Sequence, residues 1–377
     1  MDSKLVFVAT CLFGLEKLVG EEIDALGYKR IETIDGRVVF EGDLSAIARC
    51  NINFRFSERL YLKLGSFNAL SFADLFDGTK MLPWEDWIEK DDEFPVKGHC
   101  IKSKLFSVPD CQKIVKKAVV ERLKNKYGIS WFSETGIKKQ IEFFILNDKA
   151  DLMIDLSGVP LHKRGYRAAS GGAPIRETLA AAMAKIARPR EDVLFWDPFC
   201  GSATIPIEAA MIMTNTAPNI NNSFISERFN NVPAQFFNNA REEARDAINH
   251  NTSFRAYASD IDTDVLKIAK NNIAKSGMSK YIECFERNAL DIETDGMKGT
   301  VVCNPPYGER LLESDAVFKL YSDMGKAFSR LERWQIYVLT NDENFEKRYG
   351  RRADKIRRLY NGMIRCNYYQ FFKPLNK

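Results

Sequence analysis

The chain reads as an α/β protein in two parts, α+β modules first and then a domain built on a parallel sheet. Three observations predict this. Up to residue 157, short apolar strand-like runs are mixed with amphipathic helical patterns and end on a hairpin signature. From Val193 onward strand, turn and helix alternate regularly, which calls for a parallel sheet covered on both faces. Between the two, residues 158–174 are Gly-rich and break regular structure. With 377 residues, the chain is also too long for one ordinary core.

The elements follow in order. Residues 4–9 are an apolar run and predict a strand, 14–26 repeat apolar residues at helical spacing, and 37–40 predict another strand. A helix over 43–50 and a strand over 59–64 complete a small module, 1–65. Helices over 69–76 and 84–90, a strand at 94–97 and a helix at 111–123 begin a second module. Residues 140–146 and 149–156, flanking the turn Asn147-Asp148, predict the hairpin that closes it, giving 66–157. After the linker 158–174, the domain 175–377 opens with an Ala/Leu-rich helix at 175–187. Strands at 194–197, 256–260, 281–285 and 300–303 follow, with a helix at 265–276. Residues 355–362 and 366–372 predict a terminal antiparallel hairpin, and the Asn-rich stretch 215–252 is a long polar excursion.

Composition excludes several classes. No apolar run approaches the roughly 20 residues that a membrane helix needs, and the N-terminus lacks a basic region followed by an apolar stretch. The expected setting is the cytoplasm, with no membrane partner. Eight cysteines stand singly, without a C-x-x-C pair, and read as reduced core residues. The three histidines, His99, His162 and His250, are not at ligand spacing, so no metal is expected, and a Ser/Cys–His nucleophile is hard to build. A net charge of +4 is mild but uneven. Nine basic residues against two acidic ones lie between Lys97 and Lys126, a phosphate-binding candidate that includes Lys102, Lys104, Lys113, Lys116 and Lys117. Arg351, Arg352, Lys355, Arg357 and Arg358 form a second basic cluster.

Asn304-Pro305-Pro306-Tyr307, after the apolar run 300–303, carries the chemistry. An amino group on an aromatic ring shares its lone pair with the ring and is a poor nucleophile. The Asn304 side-chain oxygen and the Pro305 carbonyl can each accept one of its N–H bonds, and Tyr307 offers a face for an extruded base. Paired prolines stiffen the segment. The bland alternative is a strand followed by a rigid turn. A cofactor pocket is predicted at three earlier strand ends. Asp197 ends one strand and suits a cationic amino group, Gly201 lets the backbone come close to a ligand, and the helix start after it offers unpaired amides. Asp260 can accept bonds from ribose hydroxyls, Asp262 reads as a helix cap, and Asn288 could meet an adenine edge, with Asp291 as the alternate. A carboxylate at Asp197 suits a cationic amino group more than a phosphate, which favours S-adenosylmethionine over a dinucleotide.

Asp197–Thr204 (DPFCGSAT), residues 304–310 (NPPYGER) and residues 161–167 (LHKRGYR) together resemble the THUMP-containing RNA methyltransferases, above all the bacterial 23S ribosomal RNA guanine-N2 methyltransferases. The similarity spans nearly the whole chain and matches the N-terminal half of a longer fused enzyme. It implies a ferredoxin-like module, a THUMP module over the basic segment and a Rossmann-like class I methyltransferase domain. It also implies S-adenosylmethionine as cofactor and structured RNA as partner, either ribosomal RNA or an assembling ribosomal particle. By this likeness Asp197 and Gly201 hold the methionine part, Asp260 the ribose and Asn288 the adenine, where the family often has Asp. Asn304, Pro305 and Tyr307 hold the target base. Arg164 and Arg167 of the linker join the five lysines above as expected RNA contacts. Adenine-N6 methylation of DNA, a transfer RNA target, protein-glutamine methylation and a silent RNA-binding assembly factor are the competing readings.

Overall fold

Two seven-stranded sheets organise the described residues. The computed structural model describes residues 4–167, 175–294, 296–306 and 311–372. The first sheet is built by β1 (Leu5–Cys11), α1 (Glu16–Ala25), β2 (Lys29–Ile34), β3 (Arg37–Gly42), α2 (Ala46–Asn53) and β4 (Ser57–Asn68). It continues with α3 (Phe72–Lys80), β5 (Val96–Ile101), α4 (Val108–Tyr127), β6 (Ile141–Leu146) and β7 (Lys149–Asp155). Its strand order is β2-β3-β1-β4-β7-β6-β5. Alternate side chains of a strand face opposite ways. Phe7, Ala9, Val38, Phe40, Leu60 and Leu62 therefore enter the core beneath the helices, while Val8, Val39, Tyr61, Phe144 and Met153 form a small cluster on the other face.

β4 runs for twelve residues, pairing with β1 along its first half and with β7 along most of its length. The expected boundary at 65/66 falls inside it, so the two N-terminal modules share one continuous sheet. Residues 29–34 form a strand that sequence reading missed, because its side chains are almost all exposed and show no apolar alternation. The expected helix at 84–90 is only a single 3-10 turn, Trp84–Asp86. Buried Trp84 donates its indole N–H to the Thr79 carbonyl at 2.7 Å, and Asp92 accepts from the Glu89 amide at 2.8 Å, so the chain turns away.

The second sheet is built by α5 (Glu177–Ala187), β8 (Leu194–Asp197), α6 (Thr204–Met213), α7 (Ala234–Asp246), β9 (Ala256–Asp260), α8 (Thr263–Lys275) and β10 (Ile282–Glu286). It is completed by β11 (Gly299–Cys303), α9 (Leu311–Phe328), β12 (Trp334–Thr340), α10 (Phe345–Tyr349), β13 (Lys355–Asn361) and β14 (Ile364–Phe371). The order is β10-β9-β8-β11-β12-β14-β13, parallel except where β14 pairs antiparallel with β12 and β13. Successive connections leave β8 in one direction toward β10 and cross back to β11 on its other side. That reversal opens a crevice at the strand ends.

A buried ionic joint fastens the two halves. Glu208 of α6 accepts from Tyr166 at 3.0 Å and pairs with Arg55 at 3.4 Å and Arg164 at 3.6 Å. The polar excursion adds to it: α7 lies against α2, with Arg49 and Glu243 2.7 Å apart. Among the described residues no helix is long and apolar enough to cross a membrane, and no disulfide joins the eight cysteines.

Candidate active site

A cavity of about 300 Å³ opens where β8, β9 and β11 end, and Asp197, Gly201, Asp260, Asp262 and Asn304 all line it. Its frame is rigid. All four residues of β8 are buried, and Trp196 packs edge-on against Tyr257 of β9 and Phe285 of β10 while its indole N–H donates to Ser259 at 2.9 Å. After Asp197 the chain must turn from strand to helix in six residues. It does so through two left-handed conformations, Gly201 at φ 52° and Ala203 at φ 62°. A Cβ built on Gly201 would meet nothing within 4 Å, so the space beside it is open for a ligand. The cap of α6, Ala203, makes no side-chain bond to the first turn, which leaves amides suited to a carboxylate.

Of the three aspartates that line this cavity, Asp197 and Asp260 stand at strand ends. Asp197 is 1% exposed and accepts the Phe199 amide at 3.1 Å. Burial pushes its carboxyl well above the usual range, and the neighbouring Asp260 adds to the shift. Among the described residues neither carboxylate forms a salt bridge. A cavity of this kind is short of positive charge, which the ammonium and sulfonium of S-adenosylmethionine provide. Asp260 accepts the Gly201 amide at 3.0 Å and the Asp262 amide at 3.1 Å, one on each oxygen, leaving a lone pair on each for a diol. Asp262 caps α8 as expected, accepting from Asp264 and Val265 at 2.9 and 3.2 Å. The residues present therefore fit the cofactor.

Asn304 follows β11 directly and is half-buried, Pro305 is buried, and Tyr307 lies outside the described residues. Sequence reading missed the support beneath this segment. Tyr321 of α9, fully buried, donates to the Pro306 carbonyl at 3.1 Å and shares a 3.0 Å bond with Thr340 at the end of β12. Burial pushes its phenol up to about 12; like any tyrosine it is protonated at neutral pH and can donate. Its sequence signal is only a Tyr within an amphipathic helix. Asn288 sits after β10, exposed and not among the cavity-lining residues, with its side-chain oxygen accepting the Leu290 amide at 3.0 Å.

The expected RNA contacts divide. Lys102, Lys104, Lys113 and Lys117 are exposed. Lys116 is not available in the same way, because it bonds both oxygens of Glu134 at 2.7 Å and the Phe94 carbonyl at 3.0 Å, over the Phe94 ring. Arg164 requires correction. Its side chain is 0% exposed and donates to the Leu161 and Arg55 carbonyls within the ionic joint. Arg167 is likewise turned inward, 2.5 Å from Glu177. The linker string LHKRGYR serves the joint between domains: its His162 also contacts Glu58 at 2.8 Å, the carboxylate that Arg176 and Thr178 reach from the catalytic side. Among the described residues no group of metal-ligating side chains gathers.

Comparison with known proteins agrees with this geometry. Three family models match along the chain: an RlmL ferredoxin-like domain over 6–61, a THUMP domain over 69–155, and an RMKL-like methyltransferase domain over 164–370. The chain is 44% identical to the Bacillus subtilis protein named "Putative RNA methyltransferase YpsC", covering 99% of this chain and 97% of that one. It is 31% identical to the "Ribosomal RNA large subunit methyltransferase K/L" of Psychromonas ingrahamii, over 94% of this chain but 48% of that protein. It thus spans about half the length of the K/L proteins it matches. A solved Listeria monocytogenes protein described as a "predicted N6-adenine-specific DNA methylase" superposes with a TM-score of 0.93 at 45% identity, covering 99% of this chain and 97% of its own. SMU.472, solved in complex with SAH, superposes at 0.92 with 37% identity over the full length of both chains. With the glycine turn, the two acidic strand ends and Asn304 on one cavity, this chain belongs to the RMKL-like methyltransferase family and uses S-adenosylmethionine.

Proposed function

We propose that the protein methylates an exocyclic amine of structured RNA, guanine N2 of 23S ribosomal RNA, in the cytoplasm and on ribosomal RNA or an assembling particle. The observation that carries this reading is Asn304 on the wall of the cavity that also holds Asp197, Gly201 and Asp260. Amine clamp and cofactor pocket are one space. A THUMP module with four exposed lysines ahead of it favours RNA over protein as substrate, and the K/L relatives, named for ribosomal RNA of the large subunit, favour that RNA.

In this reading Asp197 holds the ammonium of the cofactor, the first turn of α6 its carboxylate, Asp260 the ribose and Asn288 the adenine. The bound cofactor supplies a methyl already activated on a sulfonium. What the chain contributes is alignment: the Asn304 oxygen and the Pro305 carbonyl accept the two N–H bonds of the target amine, and Tyr307 stacks on the base. Buried Pro305 and the Tyr321 bond to Pro306 keep these acceptors fixed and partly screened from water. Incubation with labelled S-adenosylmethionine and ribosomal RNA, transfer RNA or duplex DNA, followed by nucleoside analysis, tests the proposal. N2-methylguanosine in ribosomal RNA is the expected product, and labelling of duplex DNA alone would overturn it in favour of the Listeria description.

A further inference from the structure

A second cleft, of about 770 Å³, lies between α1 of the N-terminal module and the catalytic sheet. Lys17, Lys185, Arg188, Arg190, Lys355 and Arg357 line it, against the single acid Glu21. Lys17 pairs loosely with Glu21 at 3.8 Å. The other five cations form no ion pair among the described residues, and all but Arg357 are exposed. Five like charges around one cleft repel one another, and an anion is what relieves them. A second observation points the same way: Gln370 is 5% exposed, lines the cleft, and its side-chain amide nitrogen has no hydrogen-bond partner. A buried donor left unmatched is costly, and a phosphate oxygen would satisfy it.

The position is as informative as the charge. Gln335 and Lys355 stand at the starts of β12 and β13, and Lys355 pairs in register with Gln370, so the cleft sits where the parallel strands begin. The cofactor cavity sits where they finish. β12 is seven residues long, which places the two sites about 20 Å apart on opposite ends of the sheet. The cleft is therefore no extension of the cofactor pocket. It joins part of the C-terminal basic cluster to the N-terminal module, a pairing that only folding creates.

We propose that this cleft grips the phosphate backbone of the substrate RNA, anchoring a segment remote from the methylated base. The inference rests on the RNA-directed reading above. Its test is binding, which needs no methyl transfer. A labelled RNA hairpin is titrated against wild type and the triple variant Arg190→Gln, Lys355→Gln, Arg357→Gln across a salt series, with S-adenosylmethionine affinity measured in parallel. Loss of three phosphate contacts lowers affinity by tenfold or more at low salt and reduces the log–log salt slope by about 2 to 3. Cofactor affinity stays unchanged, which shows that the variant is folded. Unchanged RNA affinity and slope, or no binding of the hairpin by wild type, would overturn the inference. So would inorganic pyrophosphate raising the melting temperature of wild type but not of the variant while RNA binding stays equal, since the cleft would then serve a small free anion. If RNA is bound through the cleft yet wild type labels no RNA, the functional reading fails and the cleft stands.

Discussion

The two sheets have seven strands each, yet they differ in where their chemistry is made. In the catalytic sheet, the proposed site is built from backbone turns at strand ends, each encoded by a few consecutive residues: Asp197 to Ala203, Asp260 to Asp262, Asn304 to Pro306. In the N-terminal sheet, the expected binding function comes from charge, and whether a charge is available depends on partners far away in sequence. Lys116 is eighteen residues from Glu134, and Arg164 is more than a hundred from Arg55. Local geometry can be read one motif at a time. Availability cannot.

Five substitutions would break or sharpen this contrast. Asn304→Ala should lower turnover by roughly a thousandfold, the scale of losing a placed acceptor in a desolvated site, while S-adenosylmethionine affinity by calorimetry holds; substantial residual turnover would mean that strand-end geometry does not make the clamp. Asp197→Asn should weaken cofactor binding by about a hundredfold, the upper range for a hydrogen bond to a charged group. The pH dependence gives a sharper form. The raised titration of Asp197 means that the cofactor-free carboxyl is protonated over a wider range than usual, and the ammonium needs it ionised. Wild-type affinity should therefore climb as pH rises through that elevated value and level off above it, whereas the Asn variant should show no such climb.

Tyr321→Phe should cut kcat by about five- to tenfold, the worth of one hydrogen bond near 1 kcal/mol, without changing cofactor affinity. A parallel fall in both would mark it as a general folding residue. The smallest effects separate neighbouring lysines on one helix. Lys117→Gln should reduce RNA affinity a few-fold and the salt slope by about 0.7 to 0.9, with unchanged melting. Lys116→Gln should instead cost about 1 kcal/mol of stability by stranding Glu134, with RNA binding intact. The reverse result would make charge content a sufficient guide after all.

Most of the fold was legible because the sequence signals were local. Apolar runs marked β1, β3, β8 and β11, and the turn Asn147-Asp148, at φ 49° and 64°, marked the β6–β7 hairpin. Edge strand β2 was hidden because almost nothing on it is buried, and the 84–90 segment misled because buried Trp84 and Ile88 mimic helical spacing in a chain that closes on Thr79 and Asp92 instead. The cavity residues Asp197, Gly201, Asp260 and Asn304 were found from spacing at strand ends. Tyr321 and the cleft around Gln370 were not, since each is made by elements that meet only in three dimensions. The linker arginines misled for a related reason: a basic string looks the same whether it faces phosphate or a buried glutamate.

The length of β4 has a practical consequence. Its first half completes one module and its second half begins the next, so a cut at residue 65 would sever a strand and leave long unpaired edges on both fragments, a template for aggregation. Grafting the N-terminal part onto another enzyme means moving everything from β1 through β7 in one piece.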